Sequence, residues 1–134
     1  PAFVDTGLNL IDARECAQGH WLAFLHGQPG QRYILGSENL TLRQILQHLS
    51  AISGRPAPRI RLPWAVALAA GIVSTAGARL TGRPPRVPLD AVRMARKKMW
   101  VSHAKAAREL GFQPSPARTG LLNAVDWFQN HGYC

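Results

Sequence analysis

The 134-residue chain has the size of one ordinary domain and is too short for two. Its 46% hydrophobic and 17% charged content, with four Trp and four Phe, excludes a disordered polyelectrolyte, and two cysteines exclude a disulfide-dense scaffold or a four-cysteine zinc site. Sixteen basic residues against seven acidic ones give a formal charge of +9, which points to an anionic partner.

The first residues, Pro1-Ala2-Phe3-Val4-Asp5, have no initiator Met, basic n-region or apolar h-region, and read like the middle of a longer protein. Asp12 followed three residues later by Glu15 forms a capping signature, and Ala13, Cys16, Ala17, His20, Trp21 and Phe24 recur at helical spacing, predicting a helix over 13–26 with that stripe in the core. After the Gln28-Pro29-Gly30 turn, residues 32–36 (Arg-Tyr-Ile-Leu-Gly) read as a short buried strand. Thr41 with Gln44 repeats the capping logic, and Leu42, Ile45, Leu46, Leu49 and Ile52 form an apolar stripe that stops at Gly54. Residues 59–62 alternate charged with apolar, as a short edge strand does.

From Leu62 to Ala78 no residue is charged, with Arg61 and Arg79 at the borders. Its length is at the lower limit for a membrane span, and Pro63, Gly71, Ser74, Thr75 and Gly77 dilute it, so a buried or groove-lining helix is expected; peripheral lipid contact through Trp64 and the flanking arginines is the membrane alternative. The proline-rich loop 81–88 leads to a short basic helix ending near Lys98, and Met99-Trp100-Val101 reads as a brief strand. Ser102 caps a helix ending at Gly111, and Ser115-Pro116 opens a last helix whose stripe is Ala117, Leu121, Ala124, Val125 and Phe128.

The charge is concentrated. Arg55, Arg59, Arg61, Arg79, Arg83, Arg86, Arg93, Arg96, Lys97 and Lys98 face a single acid, Asp90, so residues 55–98 carry the whole excess and the flanks are neutral. A solvated face, an anionic small-molecule site and a polyanion surface all fit this band. No aromatics are interleaved with the arginines and no nucleic-acid motif is present, so nucleic acid is not an expected partner.

Little catalytic chemistry is encoded. The five His residues are scattered, without metal-ligand spacing. Cys16 and His20 lie four apart on one helix face, where a thiolate–imidazole pair, two metal ligands or a packing role are the readings, with packing expected. The Gly27-x-x-Gly30 spacing follows a helix and precedes a strand, the reverse of the dinucleotide fingerprint. Neither Tyr33 nor Tyr133 has a Lys four residues later.

Three segments carry a family resemblance. Residues 9–17 (Asn-Leu-Ile-Asp-Ala-Arg-Glu-Cys-Ala) resemble the strand-to-helix "hVDDVA" element of the extended short-chain dehydrogenase/reductases, the family of NAD-dependent epimerases, dehydratases and reductases. Residues 32–41 are similar to its "Y-x-L-G-G-E-N-x-T" segment, and residues 101–114 to its "D-x-S-K-A-x-R-E-L-G-W-x-P" element. Tyr33–Thr41, Leu80–Pro84 and Arg93–Lys97 look most like the hopanoid-associated sugar epimerases, relatives of dihydroflavonol reductases.

The resemblance implies a mostly helical α/β unit: the C-terminal, substrate-binding part of a Rossmann-type enzyme. The dinucleotide-binding domain, with its NAD or NADP site and Tyr-x-x-x-Lys pair, would lie outside these residues, so no catalytic or cofactor-binding residue is expected here and the chain alone should be inactive. The implied substrate is a sugar-like or lipid-linked alcohol or ketone, and the apolar helix would cover its pocket. Arg93 falls within one residue of a phosphate-gripping Arg of nucleotide-sugar epimerases, and Arg96 and Lys97 are its neighbours; these three are the candidate substrate contacts. A second such Arg is replaced here by Leu8, which weakens a nucleotide-sugar substrate. The family reading further implies a cytoplasmic, or membrane-peripheral, enzyme whose exposed apolar faces meet the missing Rossmann half or a second copy. The rival expectation is a stand-alone basic module that binds an anionic surface through residues 55–98.

Overall fold

Asp12 starts the first helix as its residue type requires: the carboxylate accepts the Arg14 backbone N–H at 2.8 Å, and α1 runs over Ala13–His26. A computed structural model describes residues 2–133. Around α1 it places β1 (Ala2–Val4), β2 (Gly7–Leu10), β3 (Glu38–Thr41), α2 (Leu42–Ser53), β4 (Ile60–Leu62), α3 (Trp64–Thr81), α4 (Leu89–Met94), α5 (Ala104–Leu110) and α6 (Ala117–Asn130), a mostly helical α/β arrangement as expected. Cys16 and Cys134 are the two cysteines that could pair, and Cys134 lies outside the described residues.

The strands form two small pairs. β1 lies parallel to β4, with Ala2 opposite Ile60 and Val4 opposite Leu62; β2 runs antiparallel to β3, with Gly7 opposite Thr41 and Leu10 opposite Glu38. Met99 adds one parallel bridge to Leu8, donating to the Gly7 carbonyl at 2.8 Å, so the expected strand at 99–101 is reduced to that bridge.

Two apolar clusters hold these elements. Leu40, Ile45 and Ala117 pack with Leu8, Leu10, Leu49 and Leu121, which joins β2, β3, α2 and α6. Ala106, Leu110 and Phe112 pack with Leu22, Ala23, Tyr33 and Leu35, which joins α5 to α1. The Thr41–Gln44 capping box and the left-handed Gly54 bound α2 as the sequence predicts, and Gly111 ends α5 at φ 69°.

Several expectations are corrected. Residues 32–36 are extended but not a strand, because no neighbouring strand pairs with them among the described residues; Tyr33 and Leu35 instead pack on the Phe112 cluster, and pairing begins at Glu38. The expected core stripe of α1 is its open side: Trp21 is 60% and Phe24 79% exposed, stacked on each other at 5.5 Å. The buried point is Gly19, where an added Cβ would lie 2.7 Å from Leu35 and 3.1 Å from Phe112. A glycine that lets two side chains approach is invisible to a count of apolar side chains.

Both carboxylates near the strands reach further than predicted. Glu15 does not close a capping box on Asp12 but accepts the Ser115 backbone N–H at 2.8 Å, and Glu38 accepts the Ala117 N–H at 2.8 Å. The first turn of α6 is therefore capped from α1 and β3, not by Ser115, and the cap residue Pro116 makes no side-chain bond. Along α6 Ala117 is buried and Leu121 and Val125 are half-buried, whereas Ala124 and Phe128 of the expected stripe are exposed. α4 stops at Met94, four residues short of Lys98, and tightens into i→i−3 bonds from Arg96 to Arg93 and Lys97 to Met94.

The uncharged segment is the largest correction to burial. α3 is a helix of 18 residues, long and apolar enough by length and composition to cross a membrane, but only Ala67 and Gly71 are buried. An added Cβ on Gly71 would sit 3.3 Å from Val92 Cγ2, so glycine lets α4 lie close along one side of the helix. The rest of α3 lines a groove or is open.

Candidate functional site

The groove lies where α3 and α4 diverge. Trp64, Leu68, Ile72 and Leu89 form its apolar wall, and Arg93, Arg96 and Lys97 line the same cavity of about 400 Å³. All three candidate contacts named from the sequence thus converge on one concavity, although they were chosen as neighbours along the chain. Local geometry explains why. α4 carries Arg93 in its last turn, and the tight turns after Met94 swing Arg96 and Lys97 back beside it.

Trp64 organises this end of the groove. Its indole Nε1–H donates to the Val92 carbonyl at 3.1 Å, which ties α3 to α4, and its ring lies 5.2 Å beneath the Arg96 guanidinium carbon. Arg93 has one acidic neighbour, Asp90, at 3.7 Å between exposed side chains; a contact of that length contributes about 0–1 kcal/mol and leaves the guanidinium available. Arg96 and Lys97 have no ion-pair partner among the described residues. The site can therefore hold an apolar body against Trp64, Leu68 and Ile72 while two planar guanidiniums and an ammonium meet an anionic or strongly hydrogen-bonding end. The sequence set the apolar helix over the pocket but did not single out Trp64, Leu68, Ile72 and Leu89 as the residues facing these cations, a pairing made by the packing of α3 on α4.

Two other clefts are less suited to a substrate. The one beside Phe3, Arg43 and the 56–59 loop, about 450 Å³, is lined largely by loop and has Arg43 already placed over the Phe3 ring at 5.8 Å. The one between the start of α1 and α6, about 400 Å³, contains Asp12, whose carboxylate is spent on the Arg14 N–H and on Asn123 at 2.6 Å. The Asn123 bond first, then the Arg14 N–H, holds the Asp12 carboxyl below its ordinary 3.8. Cys16 Sγ and His20 Nδ1 are 3.9 Å apart, but that nitrogen lies 2.8 Å from the Cys16 carbonyl, a bond within the helix that occupies it. No group of three metal-ligating side chains occurs among the described residues.

The described residues contain no dinucleotide cradle of the strand–glycine loop–helix kind. β1 runs into β2 without a helix between them, and β4 is followed by Pro63 and α3 with no glycine loop, so no strand–glycine loop–helix cradle is formed. Leu8 packs in the Leu40–Ile45 cluster.

No protein-family model matches the chain. It is 47% identical over 99% of its length to a Synechocystis protein named for dihydroflavonol 4-reductase, and 29% identical over 98% to sterol demethylase protein B of Methylococcus capsulatus. Among solved structures it matches gox2253 (39% identity, TM-score 0.77) and a nucleoside-diphosphate-sugar epimerase from Pseudomonas aeruginosa (32%, TM-score 0.75), in each case over 98% of this chain. The fold extends to a UDP-glucuronic acid 4-epimerase from Bacillus cereus in complex with NAD, at 16% identity and TM-score 0.59, over 96% of this chain. Over nearly its whole length the chain is similar to the C-terminal part of structures of the extended short-chain dehydrogenase/reductase, or NAD-dependent epimerase/dehydratase, family. Within that family it is similar to dihydroflavonol reductase-like and nucleoside-diphosphate-sugar epimerase proteins, and it spans 40% of each curated relative.

Proposed function

We propose that the chain is the substrate-binding portion of an NAD(P)-dependent reductase or epimerase acting on a lipid-linked or sugar-like alcohol or ketone, with the nicotinamide supplied by a Rossmann half outside these residues. The observation that carries this reading is the groove in which Arg93, Arg96 and Lys97 face the apolar wall of Trp64, Leu68, Ile72 and Leu89. The chain's part is to bind and orient. The wall removes an apolar body from water, and the cations fix its polar end, so that the reacting carbon is presented in one pose.

The apolar wall, the relative named sterol demethylase protein B and the resemblance to hopanoid-associated epimerases favour the lipid-like side of this substrate class. Leu8, in place of a diphosphate-gripping Arg, argues against a nucleotide sugar. The open Trp21–Phe24 face of α1 is the surface for the Rossmann half or for a second copy.

The test is turnover by the full-length protein. NADPH and NADH consumption is followed with a panel of polycyclic and long-chain ketones beside nucleotide sugars, the latter also assayed for epimerisation. Activity on the amphiphilic ketones is expected. Activity restricted to nucleotide sugars would move the reading to the sugar side, and no activity with any member would remove it.

A further inference from the structure

α3 has a second surface that the groove does not use. Every exposed position from 65 to 78 is apolar; Val73 is 72% exposed and, just beyond, Leu80 is 88% exposed. Val66, Val73 and Leu80 recur every seven residues and Ile72 flanks them, so the open residues form one stripe along about 21 Å of helix. The opposite side is committed to the protein: Gly71 lies on Leu89 and Val92, and Ser74 Oγ accepts the Val87 backbone N–H at 3.1 Å. A helix held along one side in this way does not span a bilayer, but it can lie in the interface with its other side in lipid.

We infer that this stripe docks on an anionic lipid bilayer, with the surrounding arginines at headgroup level. Charge complementarity selects this occupant. Arg79, Arg83 and Arg86 stand exposed at the C-terminal end of α3 without an ion-pair partner among the described residues, and Arg59 and Arg61 precede its start. A second copy would bring the same cations against each other, and a neutral protein surface would leave them uncompensated. The open aromatic face of α1, by contrast, belongs to a neutral part of the chain and has no such ring. The groove also borders the stripe: Ile72 belongs to both, so the apolar wall opens next to the lipid-facing side while Arg93, Arg96 and Lys97 stay toward the headgroups. This inference goes beyond the proposed reaction and is read by binding rather than turnover, so either can fail alone.

The experiment is co-sedimentation of the full-length protein with phosphatidylcholine vesicles, with and without phosphatidylglycerol. Binding that needs phosphatidylglycerol is expected. The exposed-site double variant V73E/L80E should weaken it about tenfold by placing carboxylates in the interface, and R79Q/R83Q/R86Q should weaken it several-fold and flatten its salt dependence. Circular dichroism and melting checks that both variants remain folded, as substitutions at exposed positions should. No binding to phosphatidylglycerol vesicles overturns the inference. Binding that V73E/L80E leaves unchanged also overturns it, since the surface is then a plain polyanion site. A dimer that V73E/L80E converts to monomer by sedimentation velocity overturns it as well, with a second copy as the occupant.

Discussion

The neutral part of the chain and its basic segment are built by opposite rules. In the neutral part, β2, β3, α1, α2, α5 and α6 close on two apolar clusters, and carboxylates from distant positions complete the joints: Glu15 and Glu38 both meet the start of α6, and Asp12 meets Asn123. In the basic segment, α3 meets α4 through Gly71 and Val92, one indole bond from Trp64 fastens them, and much of the surface stays open. The first region spends its polar groups on itself. The second leaves most of its guanidiniums without an acidic partner, Arg61 with Asp5 and Arg93 with Asp90 excepted, and its helix face bare, which is the arrangement a binding surface needs.

The comparison can be broken by truncating one buried side chain in each region. Phe112→Ala, at a site 2% exposed in the α1–α5 cluster, should cost about 3–5 kcal/mol of stability, whereas Val92→Ala between α3 and α4 should cost about 1–2 kcal/mol and loosen the groove locally. Denaturant melts of both variants test this. Equal losses would show that the basic segment is held as tightly as the rest.

A smaller effect sharpens the same contrast through pH. The Asp12 carboxyl is held below 3.8 by Asn123 and the Arg14 N–H, so it binds fewer protons folded than unfolded at acid pH. Its contribution is complete above the unfolded value and is lost as pH falls through the lowered folded value. Asp12→Ala should therefore reduce stability at neutral pH by about 1 kcal/mol, through the lost cap and the lost Asn123 bond, and flatten the acid limb of the melting profile. An unchanged acid limb would mean that the Asp12–Asn123 joint carries no stability.

What the sequence made legible was local. The α2 capping box, the Gly54 and Gly111 stops, the span of α1 and the short strand before α3 all rest on signals within a few residues, and they stand where the residue types put them. What was misplaced depended on partners far along the chain. The strand at 32–36 lacked a neighbour to pair with, the α1 stripe faced outward because Gly19 is the contact point, and the cap of α6 came from Glu38, 79 residues away. The site was half visible. Arg93, Arg96 and Lys97 were marked by the family resemblance and by charge, whereas Trp64 and the aliphatic wall meet them only through the packing of α3 on α4.

The central claim is that these cations grip the substrate. It is tested most directly by steady-state kinetics of full-length Arg93→Ala and Arg96→Ala with the best substrate of the panel. The account predicts a raised KM, about tenfold for each variant, with kcat little changed, because the groove binds and orients rather than reacts. A fall in kcat at unchanged KM, or no change in either constant, would contradict it.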